Sequence, residues 1–269
     1  MLNKLKLSVA LTTLGFASIA YGIPTLQIGA PGGPGEGIYT NYQGSTTNPN
    51  EDDTAITNGN TLYVAGVYKD KDLLIGGQYD SDGDDWSSFD KKSPYPTDFD
   101  GHGAVLLAAV PDGTLMDAIN DLTIKYLNNI LTPFYTSSTL NGLFPNNHAP
   151  LKDTIADFLF YDIGNFANSS STVPNFEDET GADNGEIKTL TIEATGLDWV
   201  HFDVLALETT SKGKNGFKTQ LRFNPGSHDV TWKTGGSGPP RAVPEPGILL
   251  LFGTGLVGLG LIDRRRRKH

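Results

Sequence analysis

Between its two ends the chain consists of short β-prone runs that Gly, Pro, Asn and Asp interrupt at close intervals. Short strands with such turn residues between them are typical of a sandwich or a barrel. No internal repeat is present, which disfavours a solenoid or a propeller. The sequence therefore predicts a single all-β, β-sandwich-like domain with long polar loops. Strands are expected at 25–28, 37–43, 61–68, 73–76, 104–110, 155–163, 187–194, 199–208, 217–223 and 229–233.

One stretch, 114–131, fits two kinds of secondary structure. Leu115, Ile119 and Leu122 keep the spacing of one face of a helix. Leu122 also begins an alternation with Ile124 that is typical of a strand. We favour the helix, and the strand stays open as the alternative.

Three connections are long and polar, at 29–37, 45–60 and 165–185. Loops of this length are uncommon unless they are functional or disordered. A further Gly- and Pro-rich stretch, 234–243, is predicted to be a linker.

The beginning of the chain resembles an export signal. Two lysines precede the apolar stretch 7–20, and Ala20 and Gly22 place small residues at the −3 and −1 positions of a cleavage site. The apolar stretch is shorter than the ~20 residues of a membrane span, which disfavours an uncleaved anchor. We therefore predict a signal peptide over 1–22 and an exported domain over 23–233.

The other end, 244–269, carries three features in order: a Pro-Glu-Pro motif, the apolar run 248–262 and a basic cluster. A helix of that apolar length reaches only about 22 Å, less than the ~30 Å hydrocarbon core. The basic cluster favours the cytoplasmic side, so the rest of the chain is expected outside the inner membrane. An ordinary tail anchor is the alternative. The motif is Pro244, Glu245 and Pro246, and the cluster is Arg264, Arg265, Arg266, Arg267 and Lys268.

Together these features resemble the PEP-CTERM sorting signal. The resemblance implies recognition by an exosortase after passage through the general export machinery, and cleavage near the Pro-Glu-Pro motif. It also implies a membrane-held intermediate with a hydrophobic C-terminal helix. The expected destination is the outer surface or extracellular matrix of a Gram-negative-type bacterium, often one that makes exopolysaccharide.

Charge and cysteine content exclude two classes of site. The net charge is −11 although seven of the 20 Lys and Arg residues lie in the two end segments, so the domain between them is more acidic still. Nucleic acid needs a basic surface and is not expected as a partner. The chain has no cysteine, which excludes disulfides and thiolate metal sites.

Three segments of the domain, 24–27, 197–204 and 224–229, resemble the choice-of-anchor N family. Members of that family carry different C-terminal anchors on one exported domain. The resemblance implies a location and a β fold, and it implies no activity.

An acidic loop, 80–85, is the first candidate for a ligand site. Calcium binds six to eight oxygens, and carboxylates at alternate positions of a tight loop can converge on one ion. The loop differs from an EF-hand because Gly83 and Lys91 stand at the wrong positions, and a solvated acidic turn is an equal alternative. Asp98 and Asp100 can complete the shell if the chain folds back. The candidate calcium ligands are Asp80, Asp82, Asp84, Asp85 and Asp90.

A second candidate lies in the run 199–205, where His201 and Asp203 alternate with apolar residues and therefore share one face with Trp199 and Leu205. A buried hydrogen-bonded pair is the favoured interpretation. A metal or catalytic site needs a third partner, which 228–229 can supply if that turn lies at the same end. His102 and His148 are the other candidates.

Binding is the function that these residues favour. Trp86 and Phe89 follow the acidic loop, and a ring beside a calcium ion suits a glycan, so possible ligand contacts are these two rings together with His201, Asp203 and His228. Catalytic motifs such as Gly-x-Ser-x-Gly and His-Glu-x-x-His are absent from the sequence. We predict a non-catalytic surface protein that binds calcium, extracellular polysaccharide or both. A polysaccharide hydrolase and a purely structural coat protein are the alternatives.

Overall fold

The computed structural model describes residues 23–31, 39–42, 51–81, 83–90, 92–144, 155–176 and 181–233. Within them the helix α1 spans Leu115–Asp121, and 3-10 turns span Thr97–Phe99 and Gly213–Asn215. The strands of the described residues are β1 (Leu26–Gly29), β2 (Tyr39–Tyr42), β3 (Glu51–Thr57), β4 (Thr61–Val67), β5 (Asp72–Gly76), β6 (Ala104–Pro111), β7 (Leu122–Tyr126), β8 (Asn129–Leu131), β9 (Tyr135–Ser137), β10 (Ala156–Gly164), β11 (Ser171–Pro174), β12 (Ala182–Ala194), β13 (Trp199–Ser211), β14 (Phe217–Phe223) and β15 (Val230–Lys233).

Both predicted processing segments, 1–22 and 244–269, lie outside the described residues, as does the linker 234–243. Across the described ranges, no helix has the length and apolar character that a membrane crossing requires.

The strands form two sheets, in agreement with the all-β prediction. The small sheet has the order β1-β4-β12-β7-β8, with β11 also paired to β12. The large sheet has the order β2-β3-β15-β13-β6-β10-β9, with β14 and β5 also paired to β13. Pairing is antiparallel except between β15 and β3.

Strand β13 is the central strand of the large sheet and pairs with four others. Its first half lies between β15 and β6, and its second half lies between β14 and β5. Because successive side chains of a strand point to opposite faces, its residues divide into two sets. Val200 and Phe202 face the small sheet, whereas Trp199 and Leu205 face away from it.

The main core lies between the two sheets. It contains buried aliphatic side chains from both, such as Leu62 and Val64 of β4 and Leu106 and Val204 of the large sheet. Burial of a side chain of this size contributes about 1.5 to 3 kcal/mol. This layer of apolar side chains is what makes the pair of sheets a sandwich.

A second apolar cluster covers the opposite face of the large sheet. Its aromatic members come partly from the connections 77–103 and 132–144, which fold back over β6 and β10, and partly from β10, β13 and β14. Phe99 lies at the centre, with its ring centroid 5.0 to 5.8 Å from those of five other rings. The rings are Trp86, Tyr95, Phe134, Tyr135 and Phe160. The large sheet is therefore buried on both faces, which explains why β13 is buried along most of its length.

Each of the ten strands that the sequence predicts overlaps an observed strand, but two predicted loops were wrong in part. Strand β3 lies inside the expected loop 45–60, and β11 lies inside 165–185. Their sequences carry little of the apolar alternation that predicts strands. Backbone hydrogen bonds to a neighbouring strand hold them in place instead. Here β15 and β12 supply that neighbour.

The segment 114–131 contains first a helix and then strands, so both of the predicted alternatives occur in it. Helix α1 ends at Asp121, and β7 begins at the next residue. A short turn then joins β7 to β8. Leu122 therefore belongs to both patterns: its backbone N–H closes the helix on Ala118, and its side chain begins the alternation of β7.

Candidate functional site

A buried group of three titratable side chains lies on the outward face of the large sheet. Nε2 of His201 lies 2.9 Å from Oδ2 of Asp203 and 3.9 Å from Oδ2 of Asp229. The side chains of His201 and Asp203 are 0% exposed, and that of Asp229 is 2% exposed. Among the described residues, this is the group of His, Asp and Glu side chains whose ligand atoms lie close enough together to bind one metal ion.

The pairing of β13 with β15 places these three residues together. His201 lies opposite Thr231, and the same antiparallel register continued by two residues sets Asp203 opposite Asp229. The turn before β15 is fixed by the backbone, because Ala55 N–H donates to the carbonyl of Asp229. The prediction that His201 and Asp203 share a face is confirmed, and Asp229 is the third residue.

Neighbouring side chains orient the group. Nδ1 of His201 lies 2.9 Å from Oγ1 of Thr231, so that ring nitrogen is engaged and Nε2 faces the carboxylates. Nδ2 of Asn224 donates to Oδ1 of Asp203 over 2.8 Å, and Oδ1 of Asn224 accepts from the backbone N–H of Val204. Such outer contacts fix the rotamers of ligands in metal sites.

His228, a predicted contact residue, points elsewhere. Its Nε2 lies 2.6 Å from Oδ1 of Asn175, and its Nδ1 lies 2.9 Å from Oγ of Ser227. The ring therefore ties the turn 224–229 to the residue that follows β11. His148 lies outside the described residues.

The acidic loop lies at the surface and uses several of its carboxylates to shape turns. Asp85 accepts from the backbone N–H groups of Trp86 and Gly101, and Asp90 accepts from that of Lys92. Asp84 is half-buried, and Asp80 accepts the N–H of Gly83 through its carbonyl. Asp82 and Lys91 lie outside the described residues, so calcium binding stays a prediction.

The chain does fold back on this loop, which is the condition set above for Asp98 and Asp100. Asp100 accepts hydrogen bonds from the backbone and the hydroxyl of Ser87. Asp98 is exposed within the 3-10 turn Thr97–Phe99.

The two rings beside the loop differ in position. Trp86 is 0% exposed, and its indole N–H donates to the carbonyl of His102 over 3.1 Å. The expectation of an exposed sugar-stacking ring at Trp86 needs correction, because the apolar face of the large sheet offers that ring a buried position. Phe89 is half-buried at the edge of the same aromatic cluster.

That cluster also contains the phenol of Tyr95. Its hydroxyl donates to the carbonyl of Leu143 over 2.5 Å, and burial raises the pKa of this tyrosine far above its ordinary value. The hydroxyl thus stays protonated and joins the connection 77–103 to the connection 132–144.

A polar cleft of about 350 Å³ opens where the acidic loop meets the ends of β6 and β10. His102 and Asp162 form its wall, with Nδ1 and Oδ2 3.1 Å apart and side-chain exposures of 29% and 37%. The imidazole of His102 stacks on Phe134, with centroids 3.8 Å apart. The cleft is lined by Gln78, Gly101, His102, Gly103, Asp162, Gly164 and Asn165.

Hydrogen bonds hold these lining residues in place. Oδ1 of Asp162 accepts from the backbone N–H groups of Gly103 and Gly164, and Oδ1 of Asn165 accepts from that of Gly77. Sequence reasoning did not single out Asp162, Asn165 or Gln78. His102 and Asp162 are 60 residues apart, and neither belongs to a recognisable motif.

Comparison with protein families gives a match at the C-terminal end of the chain. The family model of the PEP-CTERM protein-sorting motif matches residues 242–266, which confirms the predicted sorting motif. No curated protein and no solved structure matches the chain, and the resemblance to the choice-of-anchor N family finds no support in these comparisons. The chain carries a PEP-CTERM protein-sorting motif, which implies an exported protein that an exosortase recognises on its way to the cell surface.

Proposed function

We propose that the chain is a non-catalytic surface or matrix protein whose β-sandwich binds extracellular polysaccharide. The observation that carries this proposal is the polar cleft between His102, Asp162 and Asn165. The sorting motif supports it independently, because exported proteins at the cell surface meet extracellular polymers.

The chemistry of the cleft suits a polyhydroxylated ligand. A carboxylate accepts hydrogen bonds, side-chain amides both donate and accept, and an imidazole can do either. Sugar hydroxyls likewise donate and accept. Asp162 and His102 are each partly exposed and already oriented by their neighbours, so less side-chain freedom is lost on binding.

Calcium has a defined place in this proposal. Asp85 of the acidic loop holds the backbone N–H of Gly101, and Gly101 lines the cleft. Gln78 also joins the two, since it lines the cleft and its Nε2 donates to the carbonyl of Gly83 in the loop. A calcium ion bound by the loop carboxylates would stiffen that wall of the cleft.

The first test measures binding of the exported protein to the exopolysaccharide of its own host, in calcium and in excess EDTA. We expect His102→Ala to weaken binding at least tenfold, which corresponds to about 1.4 kcal/mol. Glu193→Ala is the matched control, because Glu193 is an exposed residue of the small sheet that pairs with Lys125. Absence of binding in both conditions would contradict the proposal for this polymer. Binding that persists in EDTA would support the cleft as the polysaccharide site and would show that binding does not require calcium.

A hydrolase that acts on the same polymer is the alternative. Glycoside hydrolysis commonly requires two carboxyl groups that flank the scissile bond. The cleft, as lined by described residues, contains the single carboxylate of Asp162. Release of reducing ends from the host polymer by wild type, and not by Asp162→Asn, would establish the hydrolase instead of the binder.

Sorting gives a separate prediction. Replacing Pro244, Glu245 and Pro246 together by alanine removes the motif within the matched residues. We expect the variant to keep its C-terminal tail and to stay in the membrane fraction of the host. The intact mass and fractionation of wild type and variant measure this. Masses that differ by no more than the three substitutions, together with equal distribution, would show that this motif does not direct processing.

A further inference from the structure

We propose that His201, Asp203 and Asp229 bind one divalent transition-metal ion, with zinc as the expected ion. This site is separate from the cleft and from the acidic loop, and it does not depend on the proposed function. It lies on the outward face of the large sheet, where β13 and β15 are paired.

The distances agree with a tetrahedral metal. Ligand atoms that lie about 2.0 to 2.2 Å from a zinc ion are separated from each other by about 3.4 Å. The separations between Nε2 of His201 and the two carboxylate oxygens, 2.9 and 3.9 Å, lie on either side of this value. All three ligand atoms lie within 4.8 Å of one another.

The charges also favour a dication. A neutral imidazole and two carboxylates carry a formal charge of −2, which a divalent metal neutralises, whereas a proton on the imidazole compensates only half of it. Charge in a buried position is costly unless it is compensated. The side chains of His201, Asp203 and Asp229 are buried to 98% or more.

The identity of the ligands selects the class of metal. Calcium and magnesium prefer oxygen ligands, whereas an imidazole nitrogen suits zinc, copper, iron and nickel. The two outer contacts support the same assignment. Thr231 engages Nδ1 of the imidazole and Asn224 engages Oδ1 of Asp203, so Nε2 and Oδ2 are the atoms that face the centre of the group.

The test uses the full chain, purified after export and analysed for bound metals by mass spectrometry, then stripped with chelator and supplied with zinc alone. We expect about one zinc ion per chain in wild type. Asp229→Asn keeps the side-chain volume and should lower zinc content at least tenfold. Asp162→Asn is the matched control, because Asp162 forms a similar contact with His102 at the surface and should leave zinc content unchanged.

Thermal unfolding of wild type supplies a readout that does not depend on any variant. Zinc should raise the Tm of the stripped protein and calcium should not reproduce that shift, because a ligand that binds only the native state stabilises it. Cobalt added in place of zinc should give the visible absorption of a tetrahedral site in wild type and not in Asp229→Asn. Zinc content no higher than that of Asp229→Asn, with no change in Tm, would overturn the proposal and leave a metal-free imidazole–carboxylate group.

Discussion

Replacement of Phe99 by alanine is expected to lower the free energy of unfolding by about 3 to 5 kcal/mol, the range typical of Phe→Ala in a well-packed core. The ring is 0% exposed and its neighbours come from three parts of the chain, so they cannot close the cavity by a small movement. Loss of Phe99 also removes the contact of the connection 77–103 with Phe160 of β10. Urea unfolding of the exported protein, followed by tryptophan fluorescence, measures the change.

Phe89→Ala is the control for this prediction. Phe89 is half-buried at the edge of the same cluster, where its ring centroid lies 6.3 Å from that of Tyr95. We expect it to cost less than about 1.5 kcal/mol, because less area is removed from the interior. Equal effects of the two substitutions would show that the aromatic layer is not centred on Phe99.

Gly103→Ala is the second substitution with a large expected effect. A Cβ at this position would lie 2.5 Å from the carbonyl carbon of Gly164 and 2.6 Å from the backbone nitrogen of Asn165. Real Cβ atoms do not approach backbone so closely, so β6 and the end of β10 must separate. Overpacking of this kind costs about 1 to 3 kcal/mol, and occasionally more.

The same substitution should also weaken polysaccharide binding, because Gly103, Gly164 and Asn165 all line the cleft. Urea unfolding and the binding assay report the two effects. Gly83→Ala is the control, since its added Cβ would lie 3.3 Å from the backbone nitrogen of Asp80, and this surface loop can shift by the few tenths of an ångström that the contact requires. We expect that control to stay within about 0.5 kcal/mol of wild type. If Gly103→Ala were as mild as Gly83→Ala, the close approach of the two strands would not exist in solution.

The sequence predicted the strands in which several apolar residues alternate and missed β3 and β11, which each place only Ala55 or Val173 in the main core. Strand β14 begins and ends where its alternating residues predict, because Leu221 and Phe223 on one face of it pack, half-buried, against the second apolar cluster. Strand β3 contains Glu51, Asp52 and Asp53 and was assigned to a loop. Its position depends on hydrogen bonds to β2 and β15, and the sequence of β3 itself does not indicate which strands it pairs with.

The candidate sites divide in the same way. Alternation along β13 was sufficient to place His201 and Asp203 on one face, and proximity of 228–229 was a stated alternative. The alternation could not show that the side chain of Asp229 lies beside His201 and Asp203, or that the side chain of His228 contacts Asn175 instead. That choice depends on the register of β15 against β13, which separates neighbouring residues onto opposite sides of the chain.

What the sequence determined by itself is the all-β class, the position of most strands and the sorting motif, because each depends on residues that are neighbours along the chain. The tertiary structure alone decided that Trp86 is buried, that His102 meets Asp162 and that three titratable residues share one interior position. These contacts join residues up to 60 positions apart. The first two arise because the large sheet must bury both of its apolar faces, and that requirement draws distant connections over it. The third arises because β15 pairs with β13 in the register that sets Asp229 beside Asp203.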